Sequence, residues 1–398
     1  VFFYIFLAVM LVPFYILEML GAPKTRRTAG FLVFIAFSYF VFIAGLRDDT
    51  GYDWYVYQNI YSGIEQSEGL LAAVQFASDN GSETGFSVLL YVLSLCGVSF
   101  WAVQALICVF NFYVFVRLNS LLGMGLVSGF LVYYCWLFLV LQMAVMRMSL
   151  ALSLLALGMI ALLRGRVLVF ALLVAAASTI HLFSLAIGGG VLCARFRFSK
   201  AIVISTLSLV VILYGLGLDA FGGVLEQALG YMPSFIAYKV EIYLRLSEHY
   251  VRGLGEFLYK LFILAIFIYL LLRADWRSAL ERYLVNLSFI YIVVLFLFWK
   301  YPIFHDRVKY FVLMPYFYLL LSVVRRQRPL ERSIVAVGFL LMSFSVLVHE
   351  VRGPLFYPYT PYYNMVERWL GEQGNDGKAR TMKYYDDFNS QWLEGEVE

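Results

Sequence analysis

The chain has 398 residues, of which 62% are hydrophobic and only 14% charged, with a net charge of +4. Soluble domains carry roughly 25% charged residues, so that composition excludes an ordinary soluble domain. The apolar residues come in blocks near the ~20 residues that span a bilayer, not in the short alternating segments of a β-barrel. There is no basic nucleic-acid patch. Cys96, Cys108, Cys135 and Cys193 sit singly in apolar runs, with no C-x-x-C pair, which favours packing over metal or redox chemistry.

Residues 1–20 read as a retained first span, because they lack a basic leading region and a small-residue cleavage site. Lys24, Arg26 and Arg27 follow, and the positive-inside rule places them in the cytoplasm. Residues 30–45 then cross outward and deliver 47–84 to the far side. Residues 86–97 are short for a span and fit a re-entrant or interfacial helix. Basic sites at Arg117, Arg164–Arg166, Arg195–Lys200, Arg273–Arg277 and Arg325–Arg328 close successive apolar runs. Together they predict an all-α polytopic helical membrane protein of about twelve transmembrane helices, with both ends of the chain outside. The transmembrane domain covers 1–348, with outer loops 47–84 and 219–255, and 349–398 is an extracytoplasmic tail. The long segments share one face, so binding or chemistry is expected there.

Polar residues beside apolar runs need a reason, since a charge at mid-bilayer costs about 2.5–3.5 kcal/mol on insertion scales. In Gly45-Leu46-Arg47-Asp48-Asp49-Thr50-Gly51-Tyr52-Asp53, one cation and two anions end a hydrophobic run. Asp53, Tyr57 and Tyr61 follow at helical spacing and put a carboxylate and two phenols on one face. A solvated loop with interfacial aromatics is the simpler reading, and it suits Asp48 and Asp49. Arg147 has apolar sequence on both sides, and would otherwise snorkel to the interface. His181 stands between two short apolar runs, where packing is the plain alternative. Tyr301 to Tyr310 gathers His305, Asp306, Arg307 and Lys309 at a helix start, and an arginine there can grip phosphate bidentately. Tyr243, Arg245 and His249 belong to a basic-aromatic set in 219–255, which an interfacial belt would equally produce. Tyr359 lies in the Pro-Tyr segment 353–364.

In the order of these features the chain resembles the EpsG/Wzy-type bacterial polysaccharide polymerases. Arg47 ends the second hydrophobic helix and Gly51-x-Asp53-x-x-x-Tyr57 follows. Arg147 precedes a small-residue-rich helix, though Met148 stands where that family usually has Gln. His181-x-x-Ser184 and the aromatic Pro-Tyr segment complete the match. The resemblance implies a glycosyltransferase of the bacterial inner membrane, facing the periplasm or cell exterior. Such an enzyme joins undecaprenyl-pyrophosphate-linked oligosaccharide units into O-antigen or exopolysaccharide. It needs no cofactor and no metal, works within the lipid bilayer, and has a chain-length regulator as a further candidate partner. Arg47, Arg147 and Arg307 would bind pyrophosphate. Asp53, then His181 and Glu83, are the candidate bases. Tyr57, Tyr243, Arg245, His249, His305 and Tyr359 would hold sugar. An O-antigen ligase, or another lipid-phosphate-dependent glycosyltransferase, fits the same features. A lipid-linked sugar flippase should carry polar residues reaching both faces, whereas the conspicuous ones here cluster outside.

Overall fold

The computed structural model describes residues 2–19, 26–123, 125–219, 221–232, 237, 240–241, 244–245, 253–371 and 376–393. Among them the protein is all-α apart from one pair of two-residue strands, as a polytopic membrane protein must be where no water satisfies the backbone. Among the described residues eight helices are long and apolar enough to cross a membrane: Phe2–Met19, Phe100–Leu122, Leu126–Met143, Met146–Leu163, Leu254–Arg273, Ala279–Leu297, Pro302–Arg325 and Pro329–Arg352. That is fewer than the twelve crossings predicted. The difference falls on helices that are apolar but shorter, among them Gly30–Gly45, Val167–Ile180, Ser184–Cys193 and Lys200–Gly215. Thr84–Leu95 is likewise short, at 12 residues.

The chain divides into two compact units, Val1–Gly188 with Val324–Asp387, and Gly189–Val323 with Phe388–Glu398. The first is tied together by buried polar side chains, since lipid tails give apolar helices little reason to prefer one another. Asn111 donates to Gln142 Oε1 and Ser149 Oγ at 3.1 Å each, and its Oδ1 accepts from Ser153 at 2.7 Å. Gln142 in turn donates to the Tyr133 hydroxyl at 2.5 Å. One network therefore joins the helices Phe100–Leu122, Leu126–Met143 and Met146–Leu163. Two π-helical stretches, Tyr39–Gly45 and Tyr134–Phe138, widen the backbone where aromatic rings meet. Phe40 stacks on Tyr133 at 5.5 Å, and Tyr39 meets Tyr134 edge-on at 5.6 Å.

The end of the first π-helical stretch sets up everything after it. A helix end leaves carbonyls without partners. Gln104, 1% exposed, donates its amide to the carbonyls of Ala44, Gly45 and Arg47. The chain then enters strand β1 (Arg47–Asp48), which pairs antiparallel with β2 (Tyr363–Asn364), Arg47 opposite Asn364 and Asp48 opposite Tyr363. The expected outer loop 47–84 carries two helices, Trp54–Glu65 and Leu70–Asp79, and Thr84–Leu95 follows it. In the first of these, Trp54, Tyr57, Ile60, Tyr61 and Ile64 are buried, the stripe that helical periodicity dictates.

The second unit contains the helices Lys200–Gly215, Gly222–Leu229, Leu254–Arg273, Ala279–Leu297 and most of Pro302–Arg325. Asp219 starts its long segment as an anchor. Its carboxylate accepts from the amides of Phe221 and Gly222 and from the Tyr301 hydroxyl, at 3.2, 2.9 and 2.8 Å. Lys260 is fully buried, pairs with Glu256 one turn back and lies over the Tyr214 ring at 4.8 Å.

Candidate functional site

Gly51 turns the chain out of β1 into the loop helix Trp54–Glu65. Its φ is +103°, and an added Cβ would lie 1.9 Å from the Met143 carbonyl oxygen, so the position admits only glycine. Its amide donates to the Pro358 carbonyl at 2.9 Å. Two residues on, Asp53 occupies the N-cap of the loop helix. Asp is a favoured N-cap because its carboxylate can take an orphan amide of the first turn. Here it makes no such bond. Its Oδ1 instead accepts a 2.5 Å hydrogen bond from the Tyr385 hydroxyl.

One turn along the same helix, Tyr57 is 2% exposed and lies beneath the Arg147 guanidinium, 5.6 Å from its ring centre. Burial, then the Asp53 charge, push the Tyr57 phenol up to about 12, against the pull of Arg147. Arg147 sits in the first turn of Met146–Leu163 and donates through one nitrogen to the Gly81 carbonyl at 2.6 Å and to Glu83 Oε2 at 2.7 Å. Glu83 is the N-cap of Thr84–Leu95, and it too makes no cap bond, because its carboxylate serves the arginine. Asp53, Tyr57, Glu83 and Arg147, from three helix starts, thus form one cluster of carboxylate, phenol, carboxylate and guanidinium.

Arg47 is 1% exposed, and its guanidinium donates to the carbonyls of Ala44 at 2.5 Å and Thr50 at 3.1 Å. It clasps the turn on which Asp53 is mounted. Asp48, also 1% exposed, accepts from Trp101 Nε1 at 2.9 Å and pairs with Arg368 at 3.1 Å. Asp49 is the one non-glycine residue with positive φ, at 43°, among the described residues. Burial, followed by the Asp48 charge, raises its carboxyl to about 6, opposed by Arg380, the Gly377 amide and Arg368. Tyr359 is 2% exposed in a short 3-10 turn; its ring meets Tyr52 edge-on at 6.1 Å and its hydroxyl reaches the Leu139 carbonyl at 3.4 Å. His181 breaks the chain between Val167–Ile180 and Ser184–Cys193, with φ −150° and ψ 107°.

The remaining predicted residues belong to the second unit. Arg307 lies near the start of Pro302–Arg325, where Pro302 opens the helix without wasting an amide. His305 is 6% exposed, with Nδ1 3.2 Å from Asp306, which Lys309 also engages at 2.6 Å. Arg245 is exposed and paired with Glu241 at 2.7 Å. Tyr243 and His249 lie outside the described residues.

Sequence reasoning overlooked Gln104, Trp101, Arg368, Arg380 and Tyr385. The first four act on backbone or on an expected residue from distant parts of the chain. Tyr385 lies in the helix Gly377–Leu393, which nothing in the local sequence ties to the turn at Asp53.

Fold and site together define a polytopic helical membrane protein whose first unit presents an arginine–carboxylate–phenol cluster at converging helix starts. The chain belongs to the EpsG family, which it matches over residues 30–363. No curated protein and no solved structure matches it.

Proposed function

We propose that the protein is a polysaccharide polymerase acting outside the inner membrane on undecaprenyl-pyrophosphate-linked oligosaccharide. Family membership supports the polymerase-type function. The observation that carries the chemistry is the cluster in which Asp53 and Arg147 flank Tyr57. In the reaction, a sugar hydroxyl of one lipid-linked unit forms a bond to the anomeric carbon of another. The bond from that carbon to the pyrophosphate breaks, and the electron pair leaves on the lipid pyrophosphate. The hydroxyl proton passes to Asp53, which must be ionised and within hydrogen-bond reach. His181 and Glu83 are the rival bases, and Glu83 is already engaged by Arg147. Arg147 binds the pyrophosphate, where fixed positive charge stabilises the developing anion, and Arg307 is the arginine that the second unit offers for the same kind of contact. For Arg47 to join them it must give up the Ala44 and Thr50 carbonyls; held as it is, it supports the turn that presents Asp53. His305, Arg245, Tyr57, Tyr243, His249 and Tyr359 are the proposed sugar contacts.

The topology follows the basic loops: 47–84, 219–255 and 349–398 face the periplasm, and the shorter apolar helices supply the crossings beyond the eight of spanning length. Purified protein mixed with lipid-pyrophosphate repeat units should give a ladder of products on a gel. A single product of one added unit would instead favour a ligase, and no product with retained movement of lipid-linked sugar across vesicles would favour a flippase.

A further inference from the structure

Residues 377–387 pack against the turn that carries Asp53, and their position lies beyond the residues matched to the family. The contacts run along one face of the tail helix Gly377–Leu393. At its start an added Cβ on Gly377 would lie 2.5 Å from the Asp49 carboxyl carbon, so helix and turn touch backbone to side chain. Lys378 lies over the Tyr55 ring at 5.6 Å. Arg380 donates to the carbonyls of Asp49, Pro358 and Pro361. Thr381 is 2% exposed. Tyr384 stacks on Tyr52, rings 4.7 Å apart and 9° from parallel. Tyr357 donates to Asp387 at 2.9 Å, near the far end of the contact. Positions 377, 381, 384 and 385 follow the i, i+4, i+7, i+8 pattern of a docked helix face.

Tyr385 is the residue on that face which reaches the cluster. Its phenol is raised above its ordinary value by burial and then by the Asp53 charge, so it stays a donor. Asp53 forgoes the N-cap bond that its position offers, typically worth about 1 kcal/mol, and takes this one. The stack of Tyr384 on Tyr52, the neighbour of Asp53, fixes the register in which the two groups meet.

We propose that Tyr385 is a positioning residue for Asp53: it holds one carboxylate oxygen in place and keeps the group ionised, so that the carboxylate is aimed at the acceptor hydroxyl. This rests on the reading of Asp53 as the base. A hydrogen bond to the charged form favours it, so removing the donor makes Asp53 easier to protonate. Arg147, Tyr57 and Tyr359 also couple to Asp53, and they remain in the variant.

The test is steady-state extension by full-length protein, across pH, on lipid-pyrophosphate-linked repeat units. Wild type is compared with Tyr385→Phe, Asp53→Asn and, on the exposed face of the same helix, Met382→Ala. Tyr385→Phe should lower kcat about tenfold or more, the range for losing a hydrogen bond to a charged group, with little change in KM. The acid limb of its kcat/KM profile should move to higher pH, whereas Met382→Ala should match wild type. The limb position does not depend on how much enzyme is folded, so it decides the matter even if Tyr385→Phe is less stable. An unmoved limb and normal kcat in Tyr385→Phe, with Asp53→Asn inactive, would overturn the positioning role and leave the base in place. Near-normal extension by Asp53→Asn would remove the base reading itself, and this inference with it.

Discussion

Gly51 and Met143 meet so closely that the turn and the helix end are one structure: a Cβ on Gly51 would fall 1.9 Å from the Met143 carbonyl oxygen. The turn that carries Asp53 is thereby held against the start of the helix that carries Arg147. One residue, Ala144, separates Met143 from the N-cap Val145 of that helix, and Arg147 is in its first turn.

Gly51→Ala should therefore damage the site and not merely the loop. The positive φ alone costs about 1 kcal/mol or more, and the backbone clash adds to it. We expect a lower thermal transition in detergent and loss of extension activity. A variant with unchanged transition and activity would show that the turn is not needed where it is.

Arg147 and Glu83 should separate stability from function. Arg147→Ala removes the partner of Glu83 and a proposed pyrophosphate ligand, and should cut extension by at least about tenfold, given about 1.5–3 kcal/mol for a charge-assisted contact. Arg147→Lys should recover only part, because an ammonium lacks the planar fork. Combining Arg147→Ala with Glu83→Gln removes the negative charge that the arginine balances, so it should restore the thermal transition and not the activity. Recovery of both would make the arginine purely structural.

Asp49 gives a pH signature. Its folded carboxyl is raised from 3.8 to about 6, so between those values the folded protein binds more protons than the unfolded chain. The group's contribution is then most favourable below about 4 and is lost as pH rises to about 6. Asp49→Asn keeps the shape and an acceptor for the Gly377 amide while removing the charge. Its thermal transition should rise relative to wild type as pH goes from 4 to 6, then run parallel above. Asp48, Arg368 and Arg380 also face this carboxyl, so a constant offset at all pH values would assign the effect to them.

The proposed topology is open to cysteine labelling in a cysteine-free background. Glu68 and Asp386 are both exposed, as is Arg164. Glu68→Cys and Asp386→Cys should react with an impermeant reagent added to the periplasm, and Arg164→Cys only after the inner membrane is opened. The reverse pattern would place the cluster on the cytoplasmic side.

Membrane class and helical content were legible from composition, because a bilayer leaves few ways to satisfy a backbone and those ways need long apolar runs. The pairing of Asp53 with Tyr57 was legible too, since helical spacing puts residues four apart on one face. Tertiary structure alone decided that Arg147 covers Tyr57 and takes Glu83, for these come from helices whose relative placement no local pattern encodes. It also decided what Arg47 does: beside the membrane a cation can seek phosphate or a helix-end carbonyl, and the two carbonyls it reaches are set by the turn at Thr50. The return of residues 363–364 and 377–387 onto residues 47–55 was the least legible, because it rests on a two-residue strand pair and one helix face. Contacts between segments some 300 residues apart leave no periodicity in either segment to announce the other.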